Sequence, residues 1–452
     1  MPMQGFVSIM NSRSVLFHYL RTRILPSRLP FYGWAIVMVA AFATFASGPG
    51  QSYVFSVVID PILIDTGLSR TFLSLLYACG TAFSAIMTFW VSRLSDRYGT
   101  RRVLMLVGLL FGSFCLSMAA MRGPLGLLIS LAALRALGQG SLPVLATLLA
   151  AQWFVAYRGR AMAVVMLGIA ASNALLPPIT QALVTAWGWR EAYSALGIMV
   201  WVLIVPAAIV IVRDRPESIG LYPDGADRPP ASEQHEEHID IPLPVVRPPM
   251  RTLSFWLLAL PLAASPFLIT ALVFHQASIL AERDLSAAVS ASIFVPFAIA
   301  AASTTLLSGF LIERFGPKYV ILFNMGLMTV AIGWLLTVSS AWGAIIYATL
   351  LGATSGLQSI TSGVAWAHYY GRRGLGRVQG AAAMVMITGA AIAPLPLALL
   401  QQTMGNYQTA LLLLLLIPIV CAALVAAFRP PLATIPVATT THSDQLLDRL
   451  EG

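Results

Sequence analysis

The sequence predicts an all-α polytopic membrane protein with 12 transmembrane helices arranged as two parallel six-helix repeats. Hydrophobic residues make up 58% of the 452 and charged residues only 10%, and a charged motif near residue 96 returns 217 positions later, near residue 313. A soluble domain carries about 25% charged residues, so this composition could not cover a surface that faces water. The mean hydropathy of +0.81 agrees with a chain whose solvent is lipid.

The charge balance does not indicate a nucleic-acid partner. The formal net charge is +9 and the pI is near 9.8, but the basic residues stand in short loops between apolar segments instead of covering one soluble face. The three cysteines (Cys79, Cys115, Cys421) lie inside apolar segments without metal-ligand spacing, and we interpret them as inert core thiols. We expect no metal and no cofactor.

Twelve apolar runs, each bounded by charges, Gly or Pro, are long enough to cross a hydrocarbon core of about 30 Å, which takes roughly 20 helical residues. The first run is too long for a signal-peptide core and has no small-residue cleavage site, so it is interpreted as a retained span. The runs are 32–58, 69–92, 103–121, 125–152, 161–186, 191–212, 252–280, 287–311, 318–339, 341–369, 378–401 and 407–428.

These runs define five regions of the chain. The central linker is polar and rich in Pro, which forbids a long helix, and it is predicted to be a flexible connector. Within it His235-Glu236-Glu237-His238 is interpreted as a solvated acidic run, because its two His are three apart and not at the i, i+4 spacing of a zinc helix. The regions are a basic N-terminal segment 1–30, an N-terminal six-helix half 31–212, the linker 213–251, a C-terminal half 252–428 and a tail 429–452.

The distribution of Arg and Lys predicts the topology. With the N-terminus inside, cytoplasmic segments hold 22 of the 27 basic residues, outer loops hold four, and Arg135 is left inside a span. Basic residues accumulate on the cytoplasmic side of membrane proteins. We therefore expect both termini in the cytoplasm, with the protein in the plasma (inner) membrane and the lipid bilayer as its solvent.

The repeated motif predicts a gate as well as a topology. Asp96-Arg97-Tyr98-Gly99 matches Glu313-Arg314-Phe315-Gly316, and equivalent loops on one side of the membrane indicate parallel repeats with a site between the halves. We expect the Asp96 carboxylate to accept hydrogen bonds from nearby Arg and from the N-terminus of helix eleven near Gly374, closing the cytoplasmic side. The alternative is a charged loop that only fixes topology. The predicted gating residues are Asp96, Arg97, Arg101, Arg102, Glu313 and Arg314.

Two motifs carry a resemblance to a known family. The segment 93–102 (RLSDRYGTRR) resembles the loop between spans two and three of the major facilitator superfamily, and 135–140 (RALGQG) is similar to its Arg-containing fourth-span motif. The resemblance covers essentially the whole chain and implies the major facilitator fold and secondary transport.

Within that superfamily the chain resembles the monocarboxylate-transporter-like and oxalate:formate-antiporter-like branch. The residues that carry this resemblance are 32–35 (YGWA), 48–55 (GPGQSYVF), 66–70 (TGLSR), 187–190 (WGWR) and 215–225 (RPESIGLYPDG). The resemblance implies transport of small organic anions. The branch's first-span Lys, eighth-span Asp/Arg pair and eleventh-span Lys have no counterparts at the corresponding places of this sequence.

Arg135 is the first candidate for substrate binding. A charge at a helix centre costs roughly 2.5–3.5 kcal/mol even on the mild insertion scale, so its guanidinium must face a polar cavity or a partner. It either binds or gates an anion, or it is a structural cation that donates to neighbouring backbone carbonyls.

The first span is the second candidate. Gly48, Pro49 and Gly50 break the helix, and Gln51 and Tyr53 follow directly and could donate to a carboxylate. Close helix packing by small residues is the alternative. If protons are coupled, His275 and His368 are the nearest titratable candidates apart from loop carboxylates, because no Asp or Glu lies inside the runs defined above. A lone His such as His275 is more often a packing residue than a proton carrier, whereas interhelical hydrogen bonding explains Asn173, Gln358 and Tyr77 as well as substrate contact does. The remaining candidates are Tyr77, Asn173, His275, Gln276 and Gln358.

The predicted function is alternating-access transport of a small organic anion (monocarboxylate-like), with a proton or counter-anion as possible coupled ion. The alternatives are a proton-driven exporter of hydrophobic or drug-like compounds, which needs an embedded carboxylate, and a non-transporting membrane receptor. No nucleophile–base set or metal cluster is visible in the sequence, and we expect no enzymatic activity.

Overall fold

The computed structural model describes residues 31–121, 123–155, 157–225, 251–370 and 375–428, and within them every regular element is a helix. The His235–His238 run and Gly374 lie outside the described residues. The described helices form twelve spans. Their bounds are Gly33–Ala46 with Ser52–Thr66 (span one), Arg70–Tyr98, Thr100–Ala120, Gly123–Leu134 continuing through Arg135–Ser141 into Leu142–Trp153 (span four), Arg158–Trp187, Trp189–Val210, Leu253–Ala281, Ala287–Ser292 with Phe294–Phe315 (span eight), Pro317–Thr337, Ala341–Tyr370, Leu375–Ile392 with Pro394–Met404 (span eleven), and Tyr407–Ala427. The all-helical prediction with two six-helix halves is confirmed.

Eleven of the described spans are long and apolar enough to cross a membrane. The other one, span ten, is a helix of 30 residues (Ala341–Tyr370), so its length suffices. The Thr, Ser and Gln residues at its centre (ATSGLQSITSG) lower its mean hydropathy. These hydroxyls bond largely to their own helix or to span eight, so a polar sequence still fits inside the bundle.

The two halves share one packing scheme. In the N-terminal half span one packs on span five, span two on span four and span three on span six; in the C-terminal half span seven packs on span eleven, span eight on span ten and span nine on span twelve. Corresponding spans therefore occupy corresponding places, as two parallel repeats require.

The spacing of 217 positions extends to details of the backbone. Gly99 and Gly316 both turn the chain between consecutive spans with φ of +88° and +80°, a region that L side chains rarely adopt. Ser69 and Ser286, also 217 apart, both accept a hydrogen bond from the backbone N–H three residues on, as N-cap residues do. We call the side that holds Gly99 and Gly316 the linker side and the opposite side the far side.

Contacts between the halves join span one to span seven, span five to span eight, and span two to span eleven. Aromatic side chains mark this interface in the far-side part of the bundle. The Phe274 ring lies 4.7 Å from Tyr77 and 5.9 Å from Phe55, and the Tyr53 ring lies 6.3 Å from Phe294. The halves are thus closed against each other by apolar packing toward the far side.

The beginning of the linker packs against the linker side of the N-terminal half. The Asp214 carboxylate accepts from the Arg101 backbone N–H at 2.7 Å, and the Trp153 indole donates to the Arg213 carbonyl at 3.0 Å. Asp224 accepts from two backbone N–H groups at the end of span four and the loop after it. The residues 213–225 therefore form an ordered cap, and the predicted flexible connector falls on 226–250, outside the described residues.

Span one is longer than its apolar run predicts. Its second helix continues to Thr66, so Asp60 and Asp65 lie within a membrane helix. The expectation that no carboxylate lies inside a span is wrong for this reason: Asp60 pairs with Arg70 and Asp65 with Arg190, and pairing lowers the cost of the charge.

Candidate substrate site at the break of the first span

The break in span one follows from its proline. Pro49 has no N–H to offer the Phe45 carbonyl four residues earlier, and the chain passes through a short 3-10 turn at Gly48–Gly50. The Ser172 hydroxyl of span five donates to that Phe45 oxygen at 2.8 Å, and the Tyr53 hydroxyl donates to Ser172 at 2.8 Å. The candidate Tyr53 thus holds the break in place from within.

Span four is irregular at the same level. Residues Arg135–Ser141 form a π-helical stretch, a feature that occurs frequently at functional sites. A Cβ on Gly50 would lie 2.2 Å from the Leu134 carbonyl oxygen and 2.9 Å from the Cα of Gly138. Only glycine permits so close an approach, and the two irregular backbone segments therefore lie directly against each other.

Arg135 joins these two segments. Its Nη1 donates to the Gly50 carbonyl at 2.9 Å, its Nε donates to Thr81 Oγ1 at 3.0 Å, and its guanidinium lies 4.4 Å from the centre of the Tyr77 ring. The side chain is 3% exposed. The arginine thus faces polar partners, and one of them is a backbone carbonyl that the helix break leaves free. Its role as an anion ligand or gate stays a prediction.

The electrostatics of Arg135 are unusual. The ion pairs between described residues are Arg70–Asp60 and Arg190–Asp65, so Arg135 has no carboxylate partner in the described part of the chain. Two of its five N–H groups have described acceptors. A buried cation without a counter-charge is costly, and the remaining N–H groups can still bind an acceptor.

Polar atoms without a described partner lie on the elements around the break. The Gln139 Oε1 of the π-helical stretch and the Asn173 Oδ1 of span five are buried and accept no hydrogen bond from a described residue. Gln51 makes a long contact of 3.4 Å to Ser47, and the Tyr77 hydroxyl lies beside Ser52. Gln51, Tyr77 and Asn173 were candidates from the sequence; Gln139 was missed, although it belongs to the quoted fourth-span motif.

The other candidates lie in the C-terminal half and bond to backbone carbonyls. Gln358 donates to the Leu262 oxygen at 2.7 Å, which has no helical partner because position 266 is a proline. Gln276 donates to the Ser290 oxygen at 2.8 Å, next to the kink of span eight. The structure does not bring these two amides together with Arg135.

His275 is fully buried and hydrogen-bonded through both ring nitrogens. Its Nε2 lies 2.9 Å from the Pro394 carbonyl and its Nδ1 lies 3.0 Å from the Tyr407 hydroxyl. A carbonyl only accepts, so Nε2 carries the proton and, in the neutral ring, Nδ1 accepts from Tyr407. His275 thereby ties span seven to spans eleven and twelve.

The predicted gating residues differ in their surroundings. Arg101 donates to the carbonyls of Ala208 and Ile209 at the end of span six, at 3.1 and 2.6 Å. Asp96 is exposed and has no ion pair within the described residues, and its predicted partner near Gly374 lies outside them. The others, all exposed on the linker side, are Arg97, Arg102, Glu313 and Arg314.

Lys318 was missed as the counterpart of Arg101. It lies 217 positions later and its Nζ donates to the carbonyls of Ala426 and Phe428 at the end of span twelve, at 3.0 and 2.8 Å. Cations at a helix C-terminus satisfy its free carbonyls and oppose its dipole. The signal was available, because the motif spacing aligns these two positions.

The family model of the Major Facilitator Superfamily matches residues 34–303 and 262–445 of this chain, which together cover most of it. The chain belongs to the Major Facilitator Superfamily. The predicted superfamily is confirmed. No group of three or more His, Cys, Asp or Glu that could hold a metal ion occurs among the described residues of this superfamily member.

Two curated transporters match parts of the sequence. The MFS antiporter QDR3 of Candida albicans is 28% identical over 202 residues, which are 43% of this chain and 26% of that protein. A probable sulfoacetate transporter, SauU, of Cupriavidus necator is 28% identical over 143 residues, 31% of this chain and 33% of that protein. The matches thus span about a quarter and a third of these relatives.

Solved structures of transporters share the fold over nearly the whole chain. A bacterial homologue of the human lysosomal transporter Spinster, in an inward-facing and occupied conformation, aligns with a TM-score of 0.65 at 16% identity, covering 88% of this chain and 96% of that one. A D-xylose–proton symporter aligns with a TM-score of 0.69 at 13% identity, covering 88% and 98%. These identities support the fold alone.

Proposed function

We propose that this transporter moves a small organic anion, of the size of a monocarboxylate or a short sulfonate, by alternating access. The anion binds where the broken first span meets the π-helical stretch of span four. The chain lies in the plasma membrane with both termini in the cytoplasm, in line with the distribution of its basic residues.

One observation carries the proposal: Arg135 is a buried cation without a carboxylate partner among the described residues. An anionic substrate supplies the missing counter-charge, and a hydrogen bond from arginine to a carboxylate or sulfonate is stronger than one to a neutral carbonyl. Arginine also suits this task because its planar group offers several N–H donors at once, so it can keep its bond to the Gly50 carbonyl while it binds the substrate.

The neighbouring polar atoms add selectivity. Gln139, Asn173 and Tyr77 offer buried oxygen atoms that a hydroxyl or another donor group of the substrate can satisfy. Of the two named relatives, SauU is described as acting on sulfoacetate, a small organic anion, which agrees with this substrate class. The monocarboxylate-like branch is part of the same proposal.

The test is uptake into liposomes that contain the purified protein, with a panel of monocarboxylates, dicarboxylates and short sulfonates, each with and without a pH gradient. Arg135→Gln removes the charge and is expected to reduce anion uptake more than tenfold, since losing one partner of a buried charge pair costs about 2–5 kcal/mol. Arg135→Lys retains the charge but has one ammonium in place of the guanidinium fork, and it is also expected to be impaired.

Thr81→Val is the matched control, because it removes one hydrogen bond of Arg135 and leaves the charge and the Gly50 bond in place. Its uptake should stay within about threefold of wild type, as a single interhelical hydrogen bond contributes about 0.6 kcal/mol on average. Wild-type uptake by a folded Arg135→Gln protein would refute the anion site.

A second candidate function is proton-driven export of hydrophobic compounds, favoured by one observation: Asp60 supplies the embedded carboxylate that such an exporter needs. The relative QDR3 is described as an antiporter. The same liposomes distinguish the two, because this alternative requires movement of an uncharged aromatic compound that depends on the pH gradient and on Asp60, with no anion uptake.

A further inference from the structure

Polar contacts between the two halves are confined to one place. Among the contacts between described residues, every hydrogen bond that joins the N-terminal to the C-terminal half lies on the far side: Arg70 and Asp60 bond to Ser278, and Thr71 bonds to Gln402. No hydrogen bond or ion pair between described residues joins the halves on the linker side. The halves are thus linked by specific bonds at one end only.

Ser278 of span seven meets both members of an ion pair that belongs to the other half. Arg70 Nη2 donates to Asp60 Oδ1 at 2.5 Å, and Arg70 Nη1 donates to Ser278 Oγ at 2.5 Å. The Ser278 hydroxyl in turn lies 3.1 and 3.3 Å from the two oxygens of Asp60, to which it donates its single proton. One hydroxyl therefore closes a ring with both charged groups.

The position of Arg70 gives this ring a physical reason. Arg70 is the first residue of the span two helix, directly after the N-cap Ser69. A cation at a helix N-terminus is unfavourable because the dipole is positive there. Asp60, in the same half, offsets this charge. Another N–H group of Arg70 donates to Ser278 in the C-terminal half.

Thr71, the next residue, makes the second link. Its hydroxyl donates to the Gln402 Oε1 of span eleven at 2.5 Å. The first turn of span two thus contacts span seven through Arg70 and span eleven through Thr71. These two spans of the C-terminal half must separate from span two when the far side opens.

The geometry points to a far-side latch formed by Asp60, Arg70, Thr71, Ser278 and Gln402, which holds the halves together in the conformation that is closed on the far side. Transport requires that these bonds break once in each cycle. The latch does not depend on which substrate is carried, and its test therefore uses no substrate.

The test measures accessibility of a buried reporter. Val54→Cys is placed in a protein whose three natural cysteines are replaced, because Val54 is 0% exposed and belongs to the apolar cluster that span one forms with spans seven and eight. The protein is held in nanodiscs, and the rate of modification by a polar maleimide is followed. The reporter reacts only when the interface opens.

Ser278→Ala removes the hydroxyl and leaves the Asp60–Arg70 pair intact, and it is expected to raise the labelling rate about tenfold, the scale of one hydrogen bond to a charged group. Thr71→Val removes the second link and should raise the labelling rate by a smaller factor, because the Thr71 hydroxyl and the Gln402 amide are both neutral. In the double variant the two factors should multiply, since the bonds involve different spans.

Two variants serve as matched controls on the same side. Thr403→Val and Ser292→Ala remove hydroxyls that bond only to carbonyls of their own helix, and they should leave the labelling rate unchanged. Monodispersity and thermal stability confirm the fold of each variant. An unchanged rate in Ser278→Ala, or in Thr71→Val if the former does not fold, would overturn the latch, and so would equal acceleration by the controls.

Discussion

At the scale of single residues, the recurring role of buried polar side chains is to satisfy carbonyls that prolines and helix breaks leave free. Ser172 donates to Phe45, Arg135 to Gly50, and Gln358 to Leu262. Lipid offers no water to these oxygens, so the protein must supply donors of its own. A proline leaves the carbonyl four residues before it without a helical donor. A buried amide that bonds to such a carbonyl is therefore weak evidence of substrate contact.

Gln358→Leu tests this role. The change keeps the side-chain volume but leaves the Leu262 carbonyl unpaired, and we expect a loss of about 1–2 kcal/mol of stability with the substrate affinity retained. Thermal unfolding in detergent measures the first effect and uptake kinetics the second. Gln408→Leu, at an exposed position without a hydrogen bond to a described residue, should be neutral; a large loss of affinity in Gln358→Leu would instead assign this amide to the substrate.

At the scale of elements, the site depends on two helices that are irregular at the same depth. The 3-10 turn of span one and the π-helical stretch of span four approach closely because Gly50 and Gly138 have no side chains. The break in span one frees the Phe45 and Gly50 carbonyls, to which Ser172 and Arg135 donate. In the π-helical stretch the Arg135 and Ala136 carbonyls accept from the Ser84 and Ser141 hydroxyls. Neither break would be stable in lipid without the other elements around it.

Gly50→Ala tests this contact. Its methyl group would lie 2.2 Å from the Leu134 oxygen, so spans one and four must separate. We expect a destabilisation of about 1–3 kcal/mol, typical of overpacking, together with loss of uptake. Gly326→Ala is the control, because a Cβ there meets nothing within 4 Å and helix propensity favours alanine. A Gly50→Ala protein with normal stability and uptake would contradict the contact.

At the scale of the whole molecule, the two halves are built alike but carry different chemistry. The position that follows Arg135 by 217 residues is Gly352, which packs span ten closely against the Phe297 carbonyl of span eight. The N-terminal half thus holds the buried charge, while the corresponding place in the C-terminal half holds a packing contact. The repeat preserves the framework and not the site.

The two halves share a cation at equivalent positions, Arg101 and Lys318, so the loss of either cation should have a similar effect on stability. Arg101→Met and Lys318→Met each remove a cation from the carbonyls that end spans six and twelve, and each should cost about 1–2 kcal/mol of stability. Thermal unfolding of both variants, compared with wild type, measures the cost.

Arg102→Met is the control for this pair, because Arg102 is exposed and has no partner among the described residues. It should unfold at the wild-type temperature. Destabilisation by Arg102→Met equal to that of Arg101→Met would mean that loop charge as such, and not the helix cap, stabilises the linker side. The gate in which the Asp96 carboxylate closes the cytoplasmic side stays a prediction.

The sequence by itself determined the class, the number of spans and the repeat, because lipid permits little besides apolar helices and because the motif at residues 96 and 313 repeats at a fixed spacing. It also singled out Arg135 and the GPG break, since a charge and a helix breaker are conspicuous in an apolar run. The partners of these residues depended on packing between distant segments and could not be predicted.

Only the tertiary structure decided that Gly50 faces Arg135, that Gln139 lies within a π-helical stretch, and that Asp60 and Arg70 meet Ser278 across the halves. From hydropathy alone, the first apolar run ends at residue 58, before Asp60. A charged residue lowers the hydropathy of a segment, and the sequence does not show the partner that offsets its charge. The physical reason is that the cost of a polar group in lipid depends on what it bonds to, and the Ser278 partner of Asp60 is 218 residues away along the chain.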